Sequence, residues 1–188
     1  MFDEENGMEI ALQRIEFHTG FVDLCHLGLT ELPALPNNIK SLWCNGNRLT
    51  SLPPLPRQLT QLRCDGNQLT SLPLLPPGLR LLRCDANSIE GLPALPDPLR
   101  ALWCHQNRLT TLPNLPPHLG DLLCDGNQIP PLLPQESPHS YERRLREHES
   151  KTRTTHRVAQ FKEDLMINRW HPSRVEKLLN AGLDIEDM

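Results

Sequence analysis

Five cysteines recur every twenty residues, at Cys44, Cys64, Cys84, Cys104 and Cys124, each three places ahead of an asparagine: Asn47, Asn67, Asn87, Asn107 and Asn127. Thiols at regular intervals raise three chemistries: metal ligation, disulfide exchange and nucleophilic attack. Thiolate metal sites draw on close pairs such as C-x-x-C, often with histidine, and a spacing of twenty has none of that pattern. The column holds an odd number, and free cysteine in a packed core acts as a small hydrophobe. These five are therefore expected to be reduced core residues, which suits a reducing compartment. The sixth, Cys25, is different. Aligning Leu32-Pro33 with Leu52-Pro53 places Leu24 in the cysteine column and Cys25 one place beyond it. Cys25 is thus expected to face outward, as the one candidate for a reactive thiol. His105 beside Asp85 or Asp125 can be written as an acid-base dyad, but a single histidine in a repeated column reads as drift. The chain has no glycine-rich phosphate loop and no G-x-S-x-G. No catalytic residue, metal or cofactor is expected, and the chain is not read as an enzyme.

What positions these residues is a repeat. Leu42, Leu62, Leu82, Leu102 and Leu122 form one column, and Leu49, Leu69, Ile89, Leu109 and Ile129 another. The unit is L-x-C-x-x-N-x-L/I, followed in the inner repeats by L-P-x-L-P-x-x-L. L-x-C alternates with period two, so each unit supplies a short strand with leucine and cysteine facing inward. Twenty residues leave no room for a helix on the way back, and the proline-rich half, as in "LPPLPRQL", favours an extended, polyproline-like return. One unit cannot bury its own apolar face, so several stack into a solenoid with rungs about 4.8 Å apart. Where the chain turns inward after each strand, its buried amides and carbonyls need partners. An asparagine side chain donates and accepts, so a column of them can bridge successive turns.

The unit resembles the leucine-rich repeat superfamily in its shortest form, with cysteine at a position more often held by leucine. The resemblance covers residues 21–133, as one divergent and five regular repeats. It implies an α/β repeat solenoid with short parallel strands on a concave face and an irregular or polyproline-like convex side, closed by a helical N-cap and a helical C-terminal extension. The L-P-x-L-P form is similar to repeats of bacterial effectors. Some of those carry a ubiquitin-ligase domain with a cysteine nucleophile. The residues that follow the repeats here contain no cysteine, so that activity is not carried over.

A solenoid needs covered ends. Residues 1–20 are read as the N-terminal cap, with Met8, Ala11, Leu12 and Ile15 at helical spacing over 6–17. The run "EIALQRIEFHTGFVDLCHLGLTELP" resembles the lead-in of many intracellular leucine-rich repeat proteins. Prolines 130, 131, 134 and 138 stop the repeat, and 134–157 is read as a linker and basic helical segment. Residues 139–162 hold seven Lys/Arg against three Glu. Residues 158–188 are read as a helical pair anchored by Trp170, with Ser173 and Glu176 as a capping box and Gly182 as the stop. Its "W-H-P-x-R-V" and "G-x-D-I-E-D" resemble tails of repeat proteins of large DNA viruses.

Between the inward columns, the alternate strand residues project outward. One such column is Trp43, Arg63, Arg83, Trp103 and Leu123; its neighbour is Asn45, Asp65, Asp85, His105 and Asp125. Tryptophan and arginine dominate binding hot spots, so this strip, about 20 Å long, is the expected surface for another protein or peptide. Two other readings stand beside it: the C-terminal tail docks there, or the arginines only neutralise the aspartates while the tryptophans pack on their neighbours. Arg143, Arg144, Arg146, Lys151, Arg153 and Arg157 could contact phosphates. Glu142, Glu147 and Glu149 are interleaved with them, and i,i+4 pairing on a solvated helix explains that pattern. Nucleic-acid binding and a structural or host-interaction role in a large DNA virus remain the alternatives. A net charge of −4 gives no global pull toward nucleic acid. No stretch approaches the roughly 20 apolar residues of a bilayer span, and "MFDEENGMEI" lacks a signal-peptide pattern. A cytoplasmic setting is expected, in the host cytoplasm or a virus particle if the chain is viral.

Overall fold

The structure is a computed structural model that describes residues 4–17, 20–133 and 136–169. Helix α1 spans Glu4–Phe17, and six strands follow: β1 Phe21–Asp23, β2 Ser41–Trp43, β3 Gln61–Arg63, β4 Leu81–Arg83, β5 Ala101–Trp103 and β6 Asp121–Leu123. Helix α2 spans Pro138–Arg169. The strands form one parallel sheet in chain order, in an unbroken register of twenty: Val22 faces Leu42, Leu42 faces Leu62, and so on to Leu122. A parallel sheet built in sequence order with no helix between strands is a solenoid.

The alternation read from L-x-C sets what is buried. The leucine, cysteine and second Leu/Ile columns are almost wholly enclosed, and Leu24 stands where the later repeats have cysteine. Each asparagine side chain then ties two turns together. Asn67 Nδ2 donates to the carbonyls of Cys44 (3.0 Å) and Cys64 (3.1 Å), while its Oδ1 accepts from Leu49 N–H (3.0 Å). Asn87, Asn107 and Asn127 repeat this geometry. The residue just before each asparagine, and His26 before Leu27 at the equivalent place in the first turn, adopts a left-handed backbone: His26, Gly46, Gly66, Ala86, Gln106 and Gly126 all have φ between 52° and 70°. Three of the six are glycine, the residue that reaches this region without steric cost. The return path carries neither helix nor strand and closes in a turn in which Leu59 N–H, for example, donates to Pro56 O (3.0 Å).

Among the described residues the chain divides into two compact units, Met1–Arg143 and Arg144–Met188. In the first, α1 covers the β1 end with most of the stripe expected from sequence: Ala11 is buried and Met8 and Ile15 are half-buried, whereas Leu12 is 52% exposed. The reason is closeness of approach: a Cβ at Gly7 would lie 2.2 Å from Leu27 O, so the helix docks on its small residues Gly7 and Ala11 and turns Leu12 outward. Arg14 Nη1 donates to Asp23 O (2.7 Å) on the outer strand. At the other end Pro138 does not simply stop the repeat; it opens α2. Ser137 Oγ accepts from Ser140 N–H (3.2 Å) and Ser137 O from Tyr141 N–H (3.0 Å), an N-cap with proline at the first helical position. Tyr141 is fully buried and its hydroxyl donates to Pro130 O. Glu142 Oε1 accepts from Leu115 N–H (3.4 Å). In the second unit α2 continues as one helix through residue 157 to Arg169. The basic segment read from sequence as a solvated helix is helical, with exposed residues at 146–148 and 150–153. The predicted helical pair falls largely on 170–188, outside the described residues.

Candidate functional site

Three outward columns, not two, make up the strand face. The alternation extends one residue ahead of each inward leucine and adds Phe21, Ser41, Gln61, Leu81, Ala101 and Asp121. Sequence reasoning missed this column because it began counting at the leucine. It matters, because Phe21 meets Trp43 edge-on at 4.8 Å between centroids, and Asp121 Oδ2 accepts from Trp103 Nε1 (2.7 Å).

In the middle column the side chains organise themselves in two opposed pairs. Arg63 lies over the Trp43 ring at 4.2 Å, and Arg83 over the Trp103 ring at 4.4 Å. Since Arg63 and Arg83 are register partners on β3 and β4, the two guanidiniums sit back to back, each leaning away onto its own tryptophan. Cation–π stacking of this kind contributes about 0.5–2 kcal/mol per pair. It also explains why Trp43 and Trp103 are half-buried rather than exposed; only Leu123, which has no arginine beside it, is exposed.

The neighbouring column divides just as unevenly. Arg83 Nε lies 3.5 Å from Asp65 Oδ1 and 3.4 Å from Asp85 Oδ1, so one arginine answers two carboxylates. Arg63 makes no ion pair among the described residues. The neutralisation considered from sequence thus describes Arg83 and not Arg63. Asp85 is buried, Asn45, Asp65 and His105 are half-buried, and Asp125 is exposed. Burial raises the Asp65 carboxyl above its ordinary value, and Asp85 adds to this, outweighing the attraction of Arg83 and Arg63. His105 Nε2 stands 3.5 Å from Asp85 Oδ2. A shallow cavity of about 260 Å³ beside it is lined by His105, Gln106, Leu123, Asp125 and Gly126, with no serine, threonine or cysteine among them.

Five of the six thiols are held in surroundings that disfavour the thiolate. Burial pushes Cys44, Cys64, Cys84 and Cys104 far above the ordinary thiol range. Cys25 does occupy the outward column, but it is half-buried and its Sγ donates to Asn45 Oδ1 (2.7 Å). Its own burial, helped by the Asp23 carboxylate, pushes it up to about 12. Cys25 therefore faces outward as expected from sequence, but burial and the neighbouring Asp23 carboxylate disfavour its thiolate. Among the described residues no cluster of His, Cys, Asp or Glu is arranged to hold a metal, and no helix is long and apolar enough to cross a membrane.

One further column lies at the start of the strands, where Lys40, Thr60, Arg80 and Arg100 precede β2 to β5. Their N–H groups form a ladder: Thr60 to Lys40 O and Arg80 to Thr60 O (both 2.7 Å), then Arg100 to Arg80 O (2.8 Å). Lys40, Arg80 and Arg100 are exposed.

Register, buried columns and bridging asparagines define the class: this is a leucine-rich repeat solenoid. The comparisons agree. No protein-family model matches the chain, and no curated protein matches it. Solved structures do. YopM from Yersinia enterocolitica WA-314 is 39% identical with a TM-score of 0.63, over 68% of this chain and 30% of its own. The leucine-rich repeat domain of a Shigella effector is 36% identical with a TM-score of 0.65, over 71% and 61%. YopM of Yersinia pestis, described as a leucine-rich effector protein, is 36% identical with a TM-score of 0.62, over 67% and 38%. The chain therefore spans less than two thirds of each of these proteins. The resemblance of its tail to viral repeat proteins has no counterpart among them.

Proposed function

We propose that the chain is a non-enzymatic protein-interaction module that receives a protein or peptide on the strand face, through Trp43, Arg63, Arg83, Trp103 and Leu123 and the flanking Asn45, Asp65, Asp85, His105 and Asp125. One observation carries the reading: two tryptophan–arginine stacks stand side by side on neighbouring strands, held by a backbone that a twenty-residue register makes rigid. Such residues lose little side-chain freedom on binding because they are already ordered. The likeness to effector repeat proteins supports the same class of role. The test is capture of a partner from the producing cell by the intact chain and by a Trp43/Arg63/Arg83/Trp103 alanine variant that keeps its circular dichroism. The reading expects the partner to be lost with the variant; full retention would contradict it.

A further inference from the structure

The polar groups that lack partners are not scattered. Four buried side-chain atoms among the described residues have no hydrogen-bond partner: Trp43 Nε1, Arg63 Nε, Asp65 Oδ1 and His105 Nδ1. All four belong to the outward columns of the strand face. Asp65 Oδ1 still has the Arg83 guanidinium 3.5 Å away; the other three have no such neighbour, and since leaving a buried polar group unmet costs about 1–3 kcal/mol, their concentration on one face marks it as incomplete. Two of them, Trp43 Nε1 and Arg63 Nε, are donors in side chains stacked on one another.

Charge then selects the missing group. Arg83 is matched by Asp65 and Asp85. Asp121 is engaged by Trp103, and Asp23 accepts from Cys25 N–H (2.9 Å). Across β2 to β4 three cations are left over. Lys40 and Arg80, which precede β2 and β4, and Arg63, the last residue of β3, make no ion pair or side-chain hydrogen bond among the described residues. Lys40 and Arg80 are two rungs apart, about 10 Å, which three residues of extended chain can span. Beside these cations lie the apolar surfaces of Phe21, Trp43 and Leu81.

From this we infer that the partner is an acidic peptide segment laid across β2 to β4, with carboxylates on Lys40, Arg63 and Arg80 and an apolar side chain on Phe21 and Trp43. The inference rests on the reading of the strand face as an interface, and it names that interface's chemistry. The whole face is not cationic; the anionic partner is specified by position, over Lys40, Arg63 and Arg80, of which Arg63 alone also attracts Asp65.

The experiment uses the full chain and three labelled peptides of equal length, each with the same two phenylalanines and with glutamate, lysine or serine elsewhere. The glutamate peptide is expected to bind best and to weaken as salt shortens the screening length. Arg63→Gln, Lys40→Gln and Arg80→Gln are each expected to weaken it roughly two- to fivefold, and Trp43→Ala also to weaken it. Tightest binding of the lysine peptide, still sensitive to Trp43→Ala, would overturn the acidic assignment and leave the face as an interface. Binding of the glutamate peptide that ignores Trp43→Ala and Arg63→Gln but falls with Arg143→Gln/Arg146→Gln would move the site to the helix and overturn both. A single-stranded oligonucleotide that binds more tightly than the glutamate peptide, or no binding of any peptide, would equally overturn the inference.

Discussion

Removing one asparagine from the ladder should cost very different amounts depending on where it stands. In the interior each carbonyl of the cysteine column accepts twice: Cys44 O from Asn47 and Asn67, Cys64 O from Asn67 and Asn87. Asn67→Ala therefore leaves both carbonyls with one partner and strips only Leu49 N–H. Asn47 stands at the first turn and has no such insurance. Its Oδ1 accepts from Leu27 N–H (3.0 Å) and Leu29 N–H (3.1 Å), and its Nδ2 is the ladder's donor to Leu24 O (2.8 Å). Asn47→Ala strips three buried groups. At about 2 kcal/mol per orphaned group, the middle of the usual range, the expected costs are about 2 kcal/mol for Asn67→Ala and about 6 kcal/mol for Asn47→Ala. Urea unfolding reads the difference, followed by the fluorescence of Trp43 and Trp103 in a Trp170→Phe background. With a slope of about 2 kcal/mol/M, the midpoint should fall by about 1 M and by about 3 M. Equal shifts, or a larger one for Asn67→Ala, would refute the idea that shared acceptance protects the interior.

Three other outcomes follow from the same contacts. Cys25, held protonated up to about pH 12 beside Asp23, should resist iodoacetamide at neutral pH in the folded chain, while all six thiols react in urea; rapid single labelling at Cys25, read by mass spectrometry, would contradict this. The raised Asp65 carboxyl makes a contribution that is complete below its ordinary value of 3.8 and is lost as pH rises through the folded value. Asp65→Asn should therefore raise the melting temperature at pH 7 and leave it unchanged near pH 3, whereas a drop at pH 7 would mean that the Arg83 pairing outweighs burial. Tyr141→Phe, which removes the donor to Pro130 O, should cost about 1 kcal/mol, measured as a shift in the urea midpoint; no shift would show that the hydroxyl does not hold the last turn.

Much of the fold could be read from spacing. A strict period of twenty forces each leucine, cysteine and asparagine onto its own column, and the parallel register follows. What escaped were decisions made by contact rather than period. The backbone of Leu27 comes so close to α1 that Gly7 and Ala11, not Leu12, form its docking face. Pro138 was legible as a helix start only together with Ser137 ahead of it. In the strand face the column Trp43, Arg63, Arg83, Trp103 was visible, but not its pairing. Arg63 leans back to β2 and Arg83 forward to β5, and that choice is set by side-chain rotamers and by the grip of Asp65 and Asp85 on Arg83 alone. The lip of Lys40, Arg80 and Arg100 was hidden because Thr60 interrupts it.

The claim that matters most is that the strand face is an interface built on the two stacks. Its most direct test is the dissociation constant of a partner captured with the intact chain, measured again with Trp43→Ala/Trp103→Ala. Losing two central aromatic anchors should weaken binding by about 2–4 kcal/mol, a factor of roughly 30 to 1,000. An unchanged constant, in a variant that keeps its fold, would contradict the account.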